Sequence, residues 1–380
     1  MRICLLTPKY PPDPGGLAIS ARRIAQGLAA AGHQLHLCYP QPQLAPGEWQ
    51  TIQDGDLLCH PFGPQRRPDD ALMEWFEWIV ALHQQYKFDI LHGHYLVGAG
   101  WVTVYAGRYL GLPTVVSPRG NDLERTVFAP AEAAPILYAL SWADGVAAVS
   151  QDLARKAQAL AGGRLVSVIH NGVDTDLFEP GPPDPALRAE LGLKPDAPLL
   201  GFVGEARQKK GLSELLLAQA ELTARAPGTP PALLLIGDVR PKDKEILSLF
   251  RKQNPGVKVR RLPYVLEPER LVTLYNSLDL LLLPSRRDGL PNSLLEGMAC
   301  ARPVLATAVG GIPDALEDGV SGVLLLPRDV PALVNAVSAL LADPERRAEL
   351  GQAARARVLA DFRPEQEIAG YLALYARLLG

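Results

Sequence analysis

The chain has 380 residues, of which 48% are apolar and 21% charged, and its formal net charge at pH 7 is −3. A chain of this length exceeds one typical hydrophobic core, so we expect two domains. The balanced charge disfavours a nucleic-acid-binding protein, which needs a basic surface to contact phosphates.

The composition predicts a protein of the cytoplasm. Prolines interrupt the short apolar run at the start of the chain, so it does not resemble a signal peptide. No stretch approaches the roughly 18 to 20 apolar residues of a membrane-spanning helix. The four cysteines are scattered without metal-ligand spacing, which is typical of reduced thiols. Peripheral contact with a membrane stays open.

Short apolar segments alternate with longer helical patterns along both halves of the chain. The first half contains the strand candidates RICLLTP, HQLHLCYP, FDILHGHY, LPTVVSP, DGVAAVS and RLVSVIH. The second half contains APLLGFVG, ALLLIGD, VKVRRLP, LDLLLLPS, RPVLATA and GVLLLP. Continuous apolar strands separated by helices such as SARRIAQGLAAAGH are typical of parallel sheets covered on both faces. We therefore predict an α/β fold with two doubly wound domains of six strands each.

Turn-forming residues are dense between positions 179 and 198, which predicts the domain boundary there. The first domain would span 1–178 and the second 179–364. The amphipathic tail EQEIAGYLALYARLL predicts a final helix at about 365–380, which we expect to pack on the first domain.

In open α/β sheets ligands bind at the carboxyl ends of the strands, so the residues after each strand are the informative ones. Gly15 and Gly16 follow the first strand and lead into a helix, where backbone N–H groups can approach an anion. A plain glycine turn is the alternative. The pattern GxGxxG is absent here and no acidic residue ends the second strand, which disfavours NAD.

The third and fourth strands end in polar residues. His92 and His94 bracket a glycine at the end of the third strand, where a structural or a functional role is open. No third ligand at a recognisable spacing accompanies them, which disfavours zinc. After the fourth strand, Arg119, Asn121 and Asp122 are candidates to bind hydroxyls of an acceptor, or they cap the next helix.

The second half opens with GFVGEARQKKGL, in which basic side chains lie between a strand and a helix. Arg207 and Lys210 are placed to neutralise a diphosphate, because Arg offers a planar fork of donors and Lys a point charge. A solvated basic turn is the alternative interpretation.

The segment DGLPNSLLEGMA places Asp288 before a helix start and Glu296 about one turn inside the helix. The helix N-terminus offers N–H groups to a phosphate, and the two carboxylates can accept hydrogen bonds from hydroxyls. A ligand with a diphosphate centre and hydroxyl groups at both ends, such as a nucleotide sugar, fits this pattern. The alternative is that both acids complement the helix dipole. The intervening candidates for donor contacts are Gly289, Leu290, Pro291, Asn292 and Ser293.

With these motifs the whole chain resembles the retaining glycosyltransferases of family 4, which have the GT-B architecture of two Rossmann-like domains facing across a cleft. The stretch DGLPNSLLEGMACARPVLATAVGGIPD matches that family's signature of two acids separated by seven residues. The segment HNGVDTDLF, at 170–178, also resembles the family, as do ADGVAAVS and HGHY.

The resemblance implies roles for individual residues. Asp288 would contact hydroxyls of the donor sugar, and Glu296 the ribose of the nucleotide. Arg207 and Lys210 would bind the diphosphate and stabilise the leaving group. In the first domain, Gly16 would let the first loop approach the phosphates, and His94 would lie beside the donor sugar near the reacting centre.

Two positions depart from the family pattern. The first acid is usually Glu and is Asp288 here, one methylene shorter. The basic residue of the phosphate loop usually follows its glycine directly, a position that Glu205 occupies. Arg207, two residues later, would have to replace it.

The implied activity is transfer of a sugar from a nucleoside-diphosphate sugar to an acceptor hydroxyl with retained anomeric configuration, without a metal or other cofactor. The acceptor would be a glycan, a lipid or a small molecule. A nucleotide-sugar epimerase or a phosphorylase of the same architecture, or a nucleotide-binding protein without turnover, are the alternatives. The sequence specifies neither the base, the donor sugar, the acceptor nor the oligomeric state.

Overall fold

The computed structural model describes residues 1–226 and 228–380, which form two compact units. The first unit consists of Met1–Asn171 together with Pro364–Gly380, and the second is Gly172–Arg363.

The chain passes into the second unit at Gly172, before the predicted boundary at residue 179. Residues that follow Gly172 are bonded within the second unit, because Val173 donates its N–H to the carbonyl of Phe362 at 2.9 Å. Arg355 likewise donates to the carbonyl of Phe178 at 3.0 Å. The Pro/Gly-rich stretch therefore lies inside the second unit.

The first unit is built on an eight-stranded sheet. Its strands are β1 (Arg2–Leu6), β2 (Gln34–Pro40), β3 (Ile52–Asp54), β4 (Leu57–Phe62), β5 (Ile90–His94), β6 (Thr114–Ser117), β7 (Gly145–Ala148) and β8 (Ser167–Val168). Its first six helices are α1 (Gly16–Ala30), α2 (Pro68–Tyr86), α3 (Trp101–Leu110), α4 (Asn121–Glu124), α5 (Pro130–Trp142) and α6 (Gln151–Leu160).

The strand order of this sheet is β3-β4-β2-β1-β5-β6-β7-β8, and every pairing is parallel except that of β3 with β4. The order reverses between β1 and β5. The prediction of six strands is wrong for this unit, because it missed the β3–β4 hairpin. Strand β3 has three residues, none of them buried, so the apolar pattern on which the prediction depended is absent there.

The second unit is built on a six-stranded parallel sheet, as predicted. Its strands are β9 (Leu199–Val203), β10 (Ala232–Ile236), β11 (Val259–Leu262), β12 (Leu280–Leu283), β13 (Val304–Thr307) and β14 (Val323–Leu325). Its helices are α7 (Pro185–Glu190), α8 (Leu212–Arg225), α9 (Lys244–Gln253), α10 (Pro268–Asn276), α11 (Asn292–Ala299), α12 (Ile312–Ala315), α13 (Val330–Ala342) and α14 (Pro344–Asp361). Single 3₁₀ turns occur at Thr126–Phe128, Gln208–Lys210 and Pro241–Asp243, and a π turn at Leu96–Gly100.

Its strand order is β11-β10-β9-β12-β13-β14, which reverses between β9 and β12. All four residues of β12 are buried leucines, which suits a strand covered by helices on both faces. Asp329 and Asp343 cap α13 and α14, each accepting a backbone N–H at 2.9 Å.

The final helix, α15 (Pro364–Leu379), belongs to the first unit. Tyr371, Leu374 and Tyr375 are buried in one apolar cluster with side chains of α1, β1 and β2. The tail is therefore part of the core of the unit that the chain left about 190 residues earlier.

Among the described residues, none of the helices combines the length and the apolar character needed to cross a bilayer. All four cysteines are buried as free thiols.

Replacing Leu374 with Ala should destabilise the first unit by about 2–5 kcal/mol, because the side chain is 2% exposed and its removal leaves a cavity. The control Leu379→Ala lies on the same helix, is 41% exposed, and should change the free energy of unfolding by less than about 0.5 kcal/mol. All five tryptophans lie in the first unit, so their fluorescence during urea unfolding reports on that unit. Equal midpoints for the two variants would contradict the assignment of α15 to this core.

Candidate functional site

The reversal of strand order in the second unit brings two loops together. Strands β9 and β12 are hydrogen-bonded neighbours, with Leu280 opposite Leu200. The loop after β9 contains Arg207 and Lys210, and the loop after β12 contains Asp288. Because parallel strands end at one edge of the sheet, these loops border the crevice in which open α/β sheets bind ligands.

Arg286 fastens the two loops to each other. Its backbone N–H donates to the carbonyl of Lys209 at 2.8 Å. Its guanidinium donates to Glu214 at 2.8 Å and to the side-chain oxygen of Gln208 at 3.1 Å. The roles of Gln208, Glu214 and Arg286 were not predicted from the sequence, since a polar side chain that positions a loop carries no spacing motif.

Lys210 and Asp288 form an ion pair between the loops. Asp288 is 9% exposed and also accepts from the hydroxyl of Ser285 at 3.3 Å and from the N–H of Gly289 at 3.1 Å. Burial alone would raise the pKa of Asp288, but the positive charges of Lys210, Lys209 and Arg207 lower it below its ordinary value. The carboxylate is therefore ionised at neutral pH.

Arg207 lies beside a carboxylate that the family pattern does not have. Its Nη1 is 2.9 Å from Glu205 Oε2, and Nε of Arg240 is 3.6 Å from Glu205 Oε1. Glu205 thus partly neutralises the positive charge of the loop that follows β9.

Glu296 is oriented by a tyrosine. The hydroxyl of Tyr275 donates to Glu296 Oε2 at 2.8 Å, and the tyrosine ring is fully buried. Burial and the negative charge of Glu296 raise the pKa of Tyr275 well above its ordinary value, so the hydroxyl remains a donor. Tyr275 was not predicted from the sequence, because a single tyrosine on the buried face of an amphipathic helix resembles ordinary core.

Gly310 and Gly311 pack against the loop that joins Asp288 to Glu296. The N–H of Gly311 donates to the carbonyl of Gly289. Gly310 has φ +56°, and a side chain there would collide with the carbonyl of Asp288. Leu290 is buried and Pro291 precedes the first turn of α11, where Asn292 and Ser293 lie. The predicted donor-binding residues from Asp288 to Ser293 therefore form one continuous loop and helix start.

In the first unit the reversal of strand order lies between β1 and β5. Gly15 precedes α1 with φ +115°, a conformation that other residues rarely adopt, and α1 begins at Gly16 without a capping side chain. His94 is the last residue of β5 and its Nε2 is 2.9 Å from the hydroxyl of Ser20 in α1. The predicted residues Gly16 and His94 thus lie at the same edge of this sheet.

The two histidines of β5 differ in their surroundings. His92 is bonded at both ring nitrogens, to the hydroxyls of Tyr375 and Ser117, each at 2.7 Å. Burial lowers the pKa of His92 to about 3, and its contacts are structural. His94 is also fully buried, which lowers its pKa well below the ordinary value, and its Nδ1 has no hydrogen-bond partner among the described residues.

The residues after β6 divide into two groups. Asp122 is fully buried and accepts backbone N–H groups from Arg119, Gly120 and Leu123 at 2.8–3.2 Å. This geometry makes Asp122 a residue that positions the loop, and its predicted contact with an acceptor stays a prediction. Arg119 donates from Nη2 to Asn171 at 2.5 Å, while its buried Nη1 has no partner in the described chain. Asn121 is half-buried at the start of α4.

Within residues 1–226 and 228–380, no group of three His, Cys, Asp or Glu side chains is arranged to hold a metal ion. Independence from metal stays a prediction.

The chain is similar to known proteins in both sequence and fold. Residues 14–177 match the profile of the family described as Glycosyltransferase Family 4, and residues 183–357 match that of Glycosyl transferases group 1. D-inositol 3-phosphate glycosyltransferase 1 of Catenulispora acidiphila is 31% identical over 385 residues, covering 96% of this chain and 91% of that protein. Alpha-maltose-1-phosphate synthase of Mycolicibacterium smegmatis is 29% identical over 398 residues, covering 95% of each chain.

Solved structures share the fold. Sucrose-phosphate synthase from Thermosynechococcus elongatus has a TM-score of 0.83 at 24% identity, covering 99% of this chain and 98% of its own. Anabaena HepE in complex with UDP-glucose has a TM-score of 0.77 at 21% identity, covering 98% and 100%. The predicted fold class, GT-B with two Rossmann-like parallel-sheet domains, is confirmed.

Replacing Lys210 with Met should raise the pKa of Asp288, because burial would no longer be outweighed by the adjacent ammonium group. In the wild type the lowered pKa stabilises the folded state at neutral pH, and this contribution is lost as the pH falls below about 4 through the lowered pKa. The stability difference between the two proteins should therefore shrink over that range. Carboxyl NMR titration of labelled aspartate measures the shift, with the exposed Lys242→Met as control. An unchanged Asp288 pKa in Lys210→Met would contradict the pairing.

Proposed function

Because this chain belongs to the glycosyltransferases of group 1 and family 4, we propose that it uses a nucleoside-diphosphate sugar as donor and retains the anomeric configuration. The observation that carries this proposal is the paired loop of the second unit, in which Lys210 and Asp288 adjoin the start of α11. The complex of Anabaena HepE with UDP-glucose supports a nucleotide-sugar donor in this fold.

The order of charges in the second unit matches the order of groups in such a donor. Lys210 and Arg207 supply positive charge for the diphosphate, and the first N–H groups of α11 add the positive end of the helix dipole. Asp288 lies in the loop that precedes α11, where we expect it to contact the donor sugar. Glu296 is inside the helix, where the Tyr275 hydroxyl orients its carboxylate, which we assign to the ribose hydroxyls.

Breaking the bond between the anomeric carbon and the phosphate oxygen leaves negative charge on the diphosphate. Cationic groups that are in place before the bond breaks stabilise that charge without reorganisation. Asp288 holds Lys210 in place, and Arg286 holds the two loops together. The cationic groups therefore do not have to move into position as the bond breaks. The chain itself would supply the stabilisation that a metal gives in other enzymes.

Retention requires either a carboxylate nucleophile or attack on the face from which the diphosphate departs. Asp288 is a poor nucleophile, because Lys210, Ser285 and Gly289 bind its oxygens. We therefore favour attack on the leaving-group face. The acceptor oxygen bonds to the anomeric carbon as the bond to the diphosphate breaks, and the departing phosphate oxygen takes the acceptor's proton.

We propose that residues of the first unit bind the acceptor. Arg119 has a buried Nη1 without a described partner, and Asn121 lies at the adjacent helix start. These are the residues that we propose for the acceptor. Relatives named for inositol 3-phosphate and maltose 1-phosphate indicate polar, hydroxyl-rich molecules as the first acceptors to test.

The purified chain, incubated in EDTA with α-linked UDP-, GDP- or ADP-sugars and D-inositol 3-phosphate or a glucose acceptor, should yield an α-linked product. NMR of the anomeric proton measures the configuration. A β-linked product would contradict retention, and loss of activity in EDTA would contradict metal independence. Free epimerised sugar without an acceptor, or dependence on inorganic phosphate, would indicate an epimerase or a phosphorylase instead.

A further inference from the structure

The loops after β9 and β10 continue the sheet by one residue pair and present their charges on one face. The N–H of Ala206 donates to the carbonyl of Asp238 at 2.8 Å, and the N–H of Arg240 donates to the carbonyl of Ala206 at 3.1 Å. Ala206 and Val239 are both buried in the apolar core. Because side chains alternate along extended backbone, the neighbours of these two residues point away from the core.

Glu205, Arg207 and Arg240 are the charged neighbours that meet on that outer face. One oxygen of Glu205 is 2.9 Å from Arg207 and the other is 3.6 Å from Arg240. The side chain of Glu205 is 42% exposed, whereas that of Arg207 is 15% exposed. One acid therefore bridges two guanidinium groups at the rim of the loop.

Arg207 also has an unused hydrogen-bond donor. Its Nε is buried and has no partner among the described residues. Its charge is close enough to Asp288 to contribute to the lowered pKa of that carboxylate. Arg207 is thus near both Glu205 and the pair of Asp288 with Lys210.

We infer that Glu205 is an internal counter-anion that a nucleotide diphosphate displaces, and that Arg240 is a second guanidinium for the same diphosphate. This inference rests on the proposed function, which places the diphosphate at Arg207 and Lys210. A carboxylate and a phosphate offer guanidinium groups the same kind of paired oxygen acceptors, so one can substitute for the other.

The exchange has a consequence for turnover. Every diphosphate must first separate Glu205 from the two arginines, which weakens binding of the donor and of the product alike. After sugar transfer, Glu205 returns to Arg207 and Arg240 as the nucleoside diphosphate leaves. An acid in the phosphate loop would therefore favour product release.

The test is calorimetric titration of UDP, UMP and uridine, with ADP and GDP for the choice of base, into full-length variants. Glu205→Gln should bind the nucleoside diphosphate about fivefold more tightly, since an exposed ion pair contributes up to about a factor of five. Arg240→Gln should bind it about fivefold more weakly. Both effects should fall with the number of phosphates and vanish for the nucleoside.

Matched controls come from an ion pair of the same unit. Glu221 is also 42% exposed and is paired with Arg225 on α8. Glu221→Gln and Arg225→Gln should bind every nucleotide as the wild type does. These variants separate the effect of the loop from a general change in net charge.

The outcomes distinguish the inference from the proposed function. If the wild type binds a diphosphate and Glu205→Gln binds it equally or more weakly, the inference alone is overturned. Glu205 would then either have no effect on binding or help to position Arg207. Unchanged binding by Arg240→Gln would overturn the role of Arg240. A wild type that binds none of the three nucleoside diphosphates would overturn both the proposed function and the inference.

Discussion

The ion pair between Lys210 and Asp288 is the interaction on which the candidate donor site depends. Each residue lies in a loop that follows a different strand, and both side chains are largely buried. Removing one member of a largely buried pair costs about 3–5 kcal/mol, because the other charge then lacks a partner. The pair therefore fixes the two loops in one geometry, and Arg286 adds hydrogen bonds between them.

Both units follow the same topological rule but use it with different chemistry. In the second unit the reversal of strand order collects charges, with Glu205 and Asp288 each set against basic side chains. In the first unit it brings together two neutral rings and one cation, since burial lowers the pKa of both His92 and His94 and the charge of Arg119 is near them. This contrast suits a donor half that binds the diphosphate and another half that positions an acceptor hydroxyl, as proposed above.

Continuous apolar strands and glycine-rich loops are visible in short stretches of sequence. The parallel sheets and the positions of Asp288 and Glu296 around a helix start could therefore be predicted from the sequence. The β3–β4 hairpin could not, because β3 lies at an edge and lacks an apolar face. The partnership of Tyr275 with Glu296 joins residues 21 positions apart, and no spacing rule predicts it. Asp122 had the residue type of a binding group, and only its hydrogen bonds to three backbone N–H groups show that it positions the loop.

Binding of a nucleoside diphosphate by the paired loops of the second unit is tested most directly by calorimetry on Lys210→Gln and Glu296→Gln. The exposed residues Lys242 and Glu245 provide Lys242→Gln and Glu245→Gln as matched controls. We expect the controls to bind like the wild type, while Lys210→Gln and Glu296→Gln each lose at least about tenfold in affinity, or about 1.4 kcal/mol. Wild-type affinity in both site variants would contradict it.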